Sequence, residues 1–298
     1  MIRVADEVRE ALAAGGAVVA LETTLVAHGF PPGEGVEVGL ESERQVREAG
    51  AVPATVGVLD GEVRVGLTAD ELARFDADAR KVGPRDLAAA AVQQAVGATT
   101  VGGTLAVARA AGIRFMGTGG LVGVHRGFPD PPDVSADLAQ LARTPALVVS
   151  AGVKSLLDVP ATTEVLESLG VPVLGFRTGT LPLFYGAAGG PPVSARVESA
   201  EEAARIAEEH WQIGGAGLLL GRPPDEPLED LGPLVDEALA AAAAAGISGQ
   251  AVTPYVLAHL HRASDGRTEA ANKSLVAQNA RLAGEVALEI AALEREHG

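Results

Sequence analysis

Ala146-Leu147-Val148-Val149-Ser150-Ala151-Gly152-Val153-Lys154-Ser155-Leu156-Leu157-Asp158 is the stretch that decides the fold. Residues 146–149 form the short apolar run of a strand buried on both faces. Ser150-Ala151-Gly152 is a turn of small residues. The segment after it reads as the first turn of a helix, with Lys154 in it. Strand, tight turn and helix in that order build an open α/β sheet, and such sheets bind ligands at the carboxyl rim of their strands. A helix N-terminus disfavours an ammonium, so this placement pushes Lys154 toward the neutral amine.

Lys154 also stands out by composition. Of 23 basic side chains only three are lysine (Lys81, Lys154 and Lys273), and the other 20 are arginine. Arginine stays protonated, whereas lysine can lose its proton and act as a nucleophile. An unperturbed lysine, with pKa about 10.4, is neutral less than roughly 0.1% of the time at pH 7. Burial and a helix end bring such a group to about 7–8. A lysine left by chance at a tolerant surface site is the competing reading.

Working outward, strands and helices alternate on both sides of this stretch. Toward the N-terminus, Val4 to Ala14 reads as an amphipathic helix and Val18 to Glu22 as a buried strand ending in a carboxylate. Thr23 to Gly33 reads as a loop, and Val36 to Ala49 as a helix with Val36, Leu40 and Val46 inward. Thr55 to Leu67 reads as a hairpin turning at Asp60-Gly61. Lys81 to Asp86 is a breaker-rich loop before an Ala-rich helix. Ile113 to Met116 is a strand running into the glycine loop 117–123, and Ser135 to Arg143 is a helix. Toward the C-terminus, Val171 to Phe176 and Gly217 to Leu220 are strands, and Leu181 to Pro192 is a long loop. Only helices follow Gly221 to Pro233. The pattern predicts an α/β fold, with a largely parallel central sheet flanked by helices, as a single domain over residues 1–298 with a C-terminal helical segment.

Composition removes several classes of function. The net charge of −16 is the wrong sign for a protein that tracks a nucleic-acid backbone. With no cysteine, disulfides and thiolate metal sites are excluded. No apolar run is long enough to span a bilayer. The acidic, amphipathic start of the chain lacks a signal core, which predicts a cytoplasmic protein.

Other residues carry possible chemistry. Glu22 closes an apolar strand, where a carboxylate is costly unless paired and tends toward the protonated acid; for an isolated glutamate, a structural salt bridge is the favoured reading. Lys81 and Arg85 flank Gly83-Pro84 and suit a phosphate clamp or a solvated charge pair. Gly117-Thr118-Gly119-Gly120-Leu121-Val122-Gly123 resembles a phosphate loop but misses the dinucleotide fingerprint at Val122. His125-Arg126 add local positive charge. In Asp133-Val134-Ser135-Ala136-Asp137, an acid or the serine can cap the following helix. Two hard oxygen ligands near a phosphate also suit Mg²⁺ or Mn²⁺. Asn279, on the last helix, reads as a surface residue or a base-reading amide. His210, His259 and His261 show no metal spacing.

Six ordered blocks give the chain a specific resemblance. They are Ala20-Leu21-Glu22-Thr23-Thr24 with His28-Gly29; Lys81-Val82 with Arg85-Asp86; Gly97 to Val101; Thr118-Gly119-Gly120 with Gly123 to Gly127; Asp133 to Leu138; and Ala151 to Asp158. In them the chain resembles the pseudouridine-5′-phosphate glycosidases of the indigoidine synthase A-like family. The blocks span roughly the first half of the chain. The resemblance implies reversible cleavage of the C–C glycosidic bond of pseudouridine 5′-phosphate, to uracil and ribose 5-phosphate. It implies Lys154 as the covalent nucleophile on ribose C1′ and Glu22 as the proton donor. It implies Lys81, Val101, Ser135, Ala136 and Asp137 as substrate contacts, with His125 and Asn279 as further contacts. It implies Asp133 as ligand of a Mn²⁺, with Mg²⁺ or another divalent cation in its place, and a homotrimer.

The residue chemistry agrees with that reaction. A departing carbon must be protonated, and C1′ needs an electron sink. A lysine amine supplies the sink as a Schiff base once the ribose ring opens, and an acid supplies the proton. Two rivals remain: a class I aldolase-like Schiff-base lyase acting on a sugar phosphate, and a non-catalytic sugar-phosphate-binding protein, which needs no neutral lysine.

Overall fold

The computed structural model describes residues 2–130, 132–228 and 230–297. Its strands are β1 (Ile2–Val4), β2 (Val18–Glu22), β3 (Val52–Leu59), β4 (Glu62–Val65), β5 (Arg80–Val82), β6 (Gly97–Thr99), β7 (Phe115–Gly117), β8 (Leu147–Ser150), β9 (Val173–Phe176), β10 (Ala195–Val197) and β11 (Leu218–Gly221). Its helices are α1 (Asp6–Ala13), α2 (Thr24–His28), α3 (Gly35–Glu48), α4 (Ala69–Leu72), α5 (Leu87–Val92), α6 (Val101–Ala111), α7 (Ala136–Leu141), α8 (Val159–Ser168), α9 (Ala200–Gln212), α10 (Gly232–Ala244), α11 (Val252–Ala263) and α12 (Arg267–His297).

One sheet joins all these strands. Its main path runs β1-β4-β3-β2-β7-β8-β11-β9-β10, and β6 branches from β3 to carry β5. Pairing is parallel except where β3 meets β4 and β6. The predicted hairpin is the first exception. Leu59 pairs with Glu62, and the two turn residues Asp60 and Gly61 both have positive φ, 53° and 79°. That geometry matches the right-handed twist of the flanking strands.

The central strands β2 and β8 are apolar up to their last residues, Glu22 and Ser150, because both faces are covered. Val148 belongs to one core and its neighbours Leu147 and Val149 to the other. Val18 and Ala20 likewise face opposite Val19 and Leu21. The first core is closed by α6, α7, α8, α10 and α11. The second is closed by α3, α9 and the C-terminal half of α12. The C-terminal helical segment is therefore no appendage: α12 packs on β2, β7 and β8 at the centre of the sheet.

Several local expectations change. Residues 24–28 of the expected loop form the short α2. Leu40 points outward, at 37% exposure, and Val38 takes the inward position. Lys154 is not in a helix. The chain stays irregular after β8 until Asp158 caps α8 by accepting the Ala161 amide at 3.0 Å, with Pro160 in the first turn. The three-residue strand β1 overlaps the expected helix at Val4 and β5 overlaps the expected loop at Lys81 and Val82, while β6 and β10 fall in segments for which the sequence predicts no element.

Candidate active site

A cavity of about 460 Å³ opens at the carboxyl ends of β2, β5, β6, β7 and β8. Each strand contributes the residues just beyond it. Glu22 ends β2. Lys81 lies in β5. Val101 opens α6 directly after β6. Thr118, Gly119 and Gly120 follow β7, and Lys154 follows β8. His125, Asp133, Ser135, Ala136 and Asp137 complete the wall from the segment leading into α7.

Gly152 is what brings Lys154 into this cavity. Its φ is +74°, and a Cβ there would lie 1.9 Å from the Pro182 carbonyl oxygen. Only glycine turns the chain so tightly under the 181–184 loop. The returning strand then docks Val153 beside Leu121 and sets the lysine chain against Gly120 and Phe184. The Lys154 ammonium position lies 6.0 Å from the centre of the Phe184 ring.

Burial drives Lys154 below the ordinary lysine value, opposed by the carboxylates of Glu22 and Asp137. Burial is the cause, then, and not the helix end expected from the sequence. Burial raises Glu22 above the usual carboxylate value. Lys154, the Thr118 hydroxyl and Lys81 pull it back, and Asp137 adds to the rise. The Thr118 hydroxyl donates directly to Glu22 Oε1. Asp137 is raised in the same way, again by burial first, while the Gly102 amide donates to its Oδ1 at 2.8 Å. Lys81 is lowered by burial and then by Lys154, with Asp137 and Glu22 opposing. Two amines and two acids are thus held where all four are drawn toward their neutral forms.

The pair of acids around Ser135 divides its work. Ser135 caps α7, its hydroxyl accepting the Asp137 amide at 3.2 Å. Asp137 is turned to the N-terminus of α6. Asp133 faces the cavity half-buried, and its carbonyl accepts the His125 amide at 2.9 Å. Burial lowers the His125 imidazole, against the pull of Asp133. Among the described residues, no group of three or more His, Asp or Glu side chains converges on a metal position. A closed protein cage is absent there. Asp133 fits a cation held mostly by water and substrate oxygens.

Three expectations are corrected. Arg126 does not charge the glycine loop; it donates to Asp236 at 2.7 Å and to the Ser155 carbonyl at 2.9 Å. The loop itself is glycine-rich for packing. A Cβ on Gly117 would stand 2.8 Å from Ala280 Cα, and one on Gly120 2.5 Å from the Phe184 ring. Asn279 is neither surface nor cavity wall; it is fully buried behind residues 118–119. Asn272, which the sequence did not flag, lines the cavity instead. It is 3% exposed, and its Oδ1 has no hydrogen-bond partner within the protein. No local motif marks it, because its position depends on where α12 crosses the sheet.

The site sets two buried amines, Lys154 and Lys81, beside two buried carboxyl groups, Glu22 and Asp137, at the rim of a largely parallel sheet. The chain belongs to the indigoidine synthase A-like family: the sequence model described as indigoidine synthase A like protein matches residues 7–289. It is 44% identical to the pseudouridine-5′-phosphate glycosidase of Nocardioides sp., over 98% of each chain. It is 48% identical to that of Streptomyces griseus, over 95% of this chain and 90% of the relative. Among solved structures it resembles the prealnumycin C-glycosynthase AlnA in complex with ribulose 5-phosphate, with TM-score 0.89, 41% identity and 99% coverage of both chains. It also resembles an indigoidine synthase A-like protein of Thermotoga maritima, with TM-score 0.87 and 34% identity, covering 98% of this chain and 97% of the other.

Proposed function

We propose that this protein is an enzyme that cleaves the C–C glycosidic bond of pseudouridine 5′-phosphate, reversibly, to uracil and ribose 5-phosphate. The observation that carries this reading is one cavity in which burial favours a neutral Lys154 beside a protonated Glu22. In the cleavage direction the Lys154 amine attacks ribose C1′, and the C1′–O4′ bond breaks as the ring oxygen takes a proton. The adduct nitrogen gives up a proton to the Glu22 carboxylate, and its freed lone pair expels the base carbon, which takes that proton and leaves an iminium at C1′. Water hydrolyses the iminium, freeing ribose 5-phosphate and restoring the amine. Glu22 is the acid of this scheme.

Lys81, the Val101 amide at the start of α6, and Ser135 to Asp137 are the substrate contacts, with His125 beside them. A helix N-terminus and a lysine suit a phosphate. The unpaired Asn272 carbonyl matches an N–H donor of the uracil ring. Asp133 would hold Mn²⁺ or Mg²⁺, which would supply positive charge to the anionic substrate. The family resemblance supports a homotrimer. A phosphorylated nucleoside substrate fits a cytoplasmic enzyme, and no helix among the described residues is long and apolar enough to cross a membrane.

The test is incubation with pseudouridine 5′-phosphate and Mn²⁺, following uracil and ribose 5-phosphate together. The two products appear in equal amounts, EDTA suppresses them, and added Mn²⁺ restores them. Fragments cut within the sugar carbon chain would instead establish the aldolase-like lyase.

A further inference from the structure

Asn279 sits on the sheet-facing side of α12 with none of its surface exposed. Its Nδ2 donates to the Thr118 carbonyl at 2.8 Å and to the Gly119 carbonyl at 3.2 Å. Those two acceptors fix the amide's orientation, since a flip would set its own oxygen against both carbonyls. The Asn279 Oδ1 is left buried without a partner. A buried amide with one end unsatisfied is a burden on stability. Its contribution therefore lies in the two bonds it donates.

Those bonds reach the end of β7. β2 and β7 pair in parallel with Leu21 opposite Gly117, so Glu22 and Thr118 emerge side by side. Gly117 lets α12 press onto the strand end, where a Cβ would lie 2.8 Å from Ala280 Cα. The Thr118 carbonyl is clamped by Asn279, while the hydroxyl of the same residue donates to Glu22.

We infer that Asn279 is a positioning residue for the proton donor: it holds residues 118–119 from behind so that the Thr118 hydroxyl meets the Glu22 carboxylate. This rests on the reading of Glu22 as the acid. The groups that face Glu22 are Lys154, Asp137, Lys81 and the Thr118 hydroxyl. Only the last is under the control of Asn279. A hydroxyl donating to a carboxylate favours its charged form, so releasing Thr118 makes Glu22 hold its proton to higher pH.

The experiment is a carboxyl titration of Glu22 by NMR, in the wild type and in Asn279→Ala, Thr118→Val and the double variant, each without substrate. Both single variants raise the Glu22 midpoint, and the double variant raises it no further than the larger single effect. In turnover, Asn279→Ala lowers kcat about tenfold and leaves KM within about twofold. Asn279→Ser, whose short hydroxyl cannot span both carbonyls, gives the same result should the alanine variant not fold. A folded Asn279 variant whose Glu22 midpoint stays at the wild-type value overturns the inference. A wild type that releases no uracil would overturn the proposed reaction, while the titration, which needs no turnover, still decides the role of Asn279.

Discussion

The Asp137 carboxylate accepts the Gly102 amide at 2.8 Å, which places a buried acid on the N-terminus of α6. That contact depends on two adjacent glycines. A Cβ on Gly102 would stand 3.0 Å from Asp137 Oδ1, and one on Gly103 would stand 2.4 Å from the Val82 carbonyl oxygen beside Lys81. The second approach is to backbone, which cannot yield as a side chain does. Gly103→Ala therefore pushes α6 away from β5. It costs about 1–3 kcal/mol of stability and raises KM, as read by denaturant unfolding and initial rates. Unchanged stability would mean that the helix start slides without strain.

The pH dependence follows from the opposed shifts of Lys154 and Glu22. Lys154 is lowered and must be neutral to attack; Glu22 is raised and must be protonated to donate. Activity falls toward acid as the amine takes a proton, and toward alkali as the acid loses one. The kcat/KM profile is a bell whose two limbs belong to the interacting pair. Glu22→Gln removes the alkaline limb and lowers kcat by about 10²–10⁴-fold. An alkaline limb that persists in this variant would assign it to another group.

His261 links stability to pH away from the chemistry. It is buried beside Phe30, with ring centres 6.5 Å apart, and burial lowers its pKa to about 4. The unfolded chain takes up a proton near pH 6.5, whereas the folded chain resists down to about 4. Between those values the unfolded state binds more protons. Its stabilising neutral form is fully present above pH 6.5 and is lost as pH falls toward 4. The loss is on the order of 3 kcal/mol. His261→Gln flattens this part of a denaturation–pH curve. An equally steep curve in the variant would place the acid sensitivity elsewhere.

Much of this was legible in the sequence, for identifiable reasons. β8 and β2 are covered on both faces, so they read as unbroken apolar runs. Asp60-Gly61 carries its turn geometry in its residue types. The strands β5, β6 and β10 are three residues long and leave no period to detect. The sequence places Lys154 in a helix, whereas the true start is set by Asp158 and Pro160, and Gly152 and the 181–184 loop hold the intervening residues as irregular chain. Nine of the ten site residues expected from the sequence line the same cavity. The tenth, Asn279, lies behind it, and Asn272 lines it without having been flagged. Both stand on α12, and nothing local on a helix of 31 residues says which turn crosses the strand ends.

The central claim is a covalent bond between Lys154 and the sugar, and the most direct measurement is reductive trapping. The protein is incubated with ribose 5-phosphate, reduced with borohydride, digested, and mapped by mass spectrometry. The account predicts one ribose 5-phosphate adduct on the Lys154 peptide, lost in Lys154→Ala along with turnover. Full uracil release by a folded Lys154→Ala, or an adduct on Lys81 with none on Lys154, would contradict it.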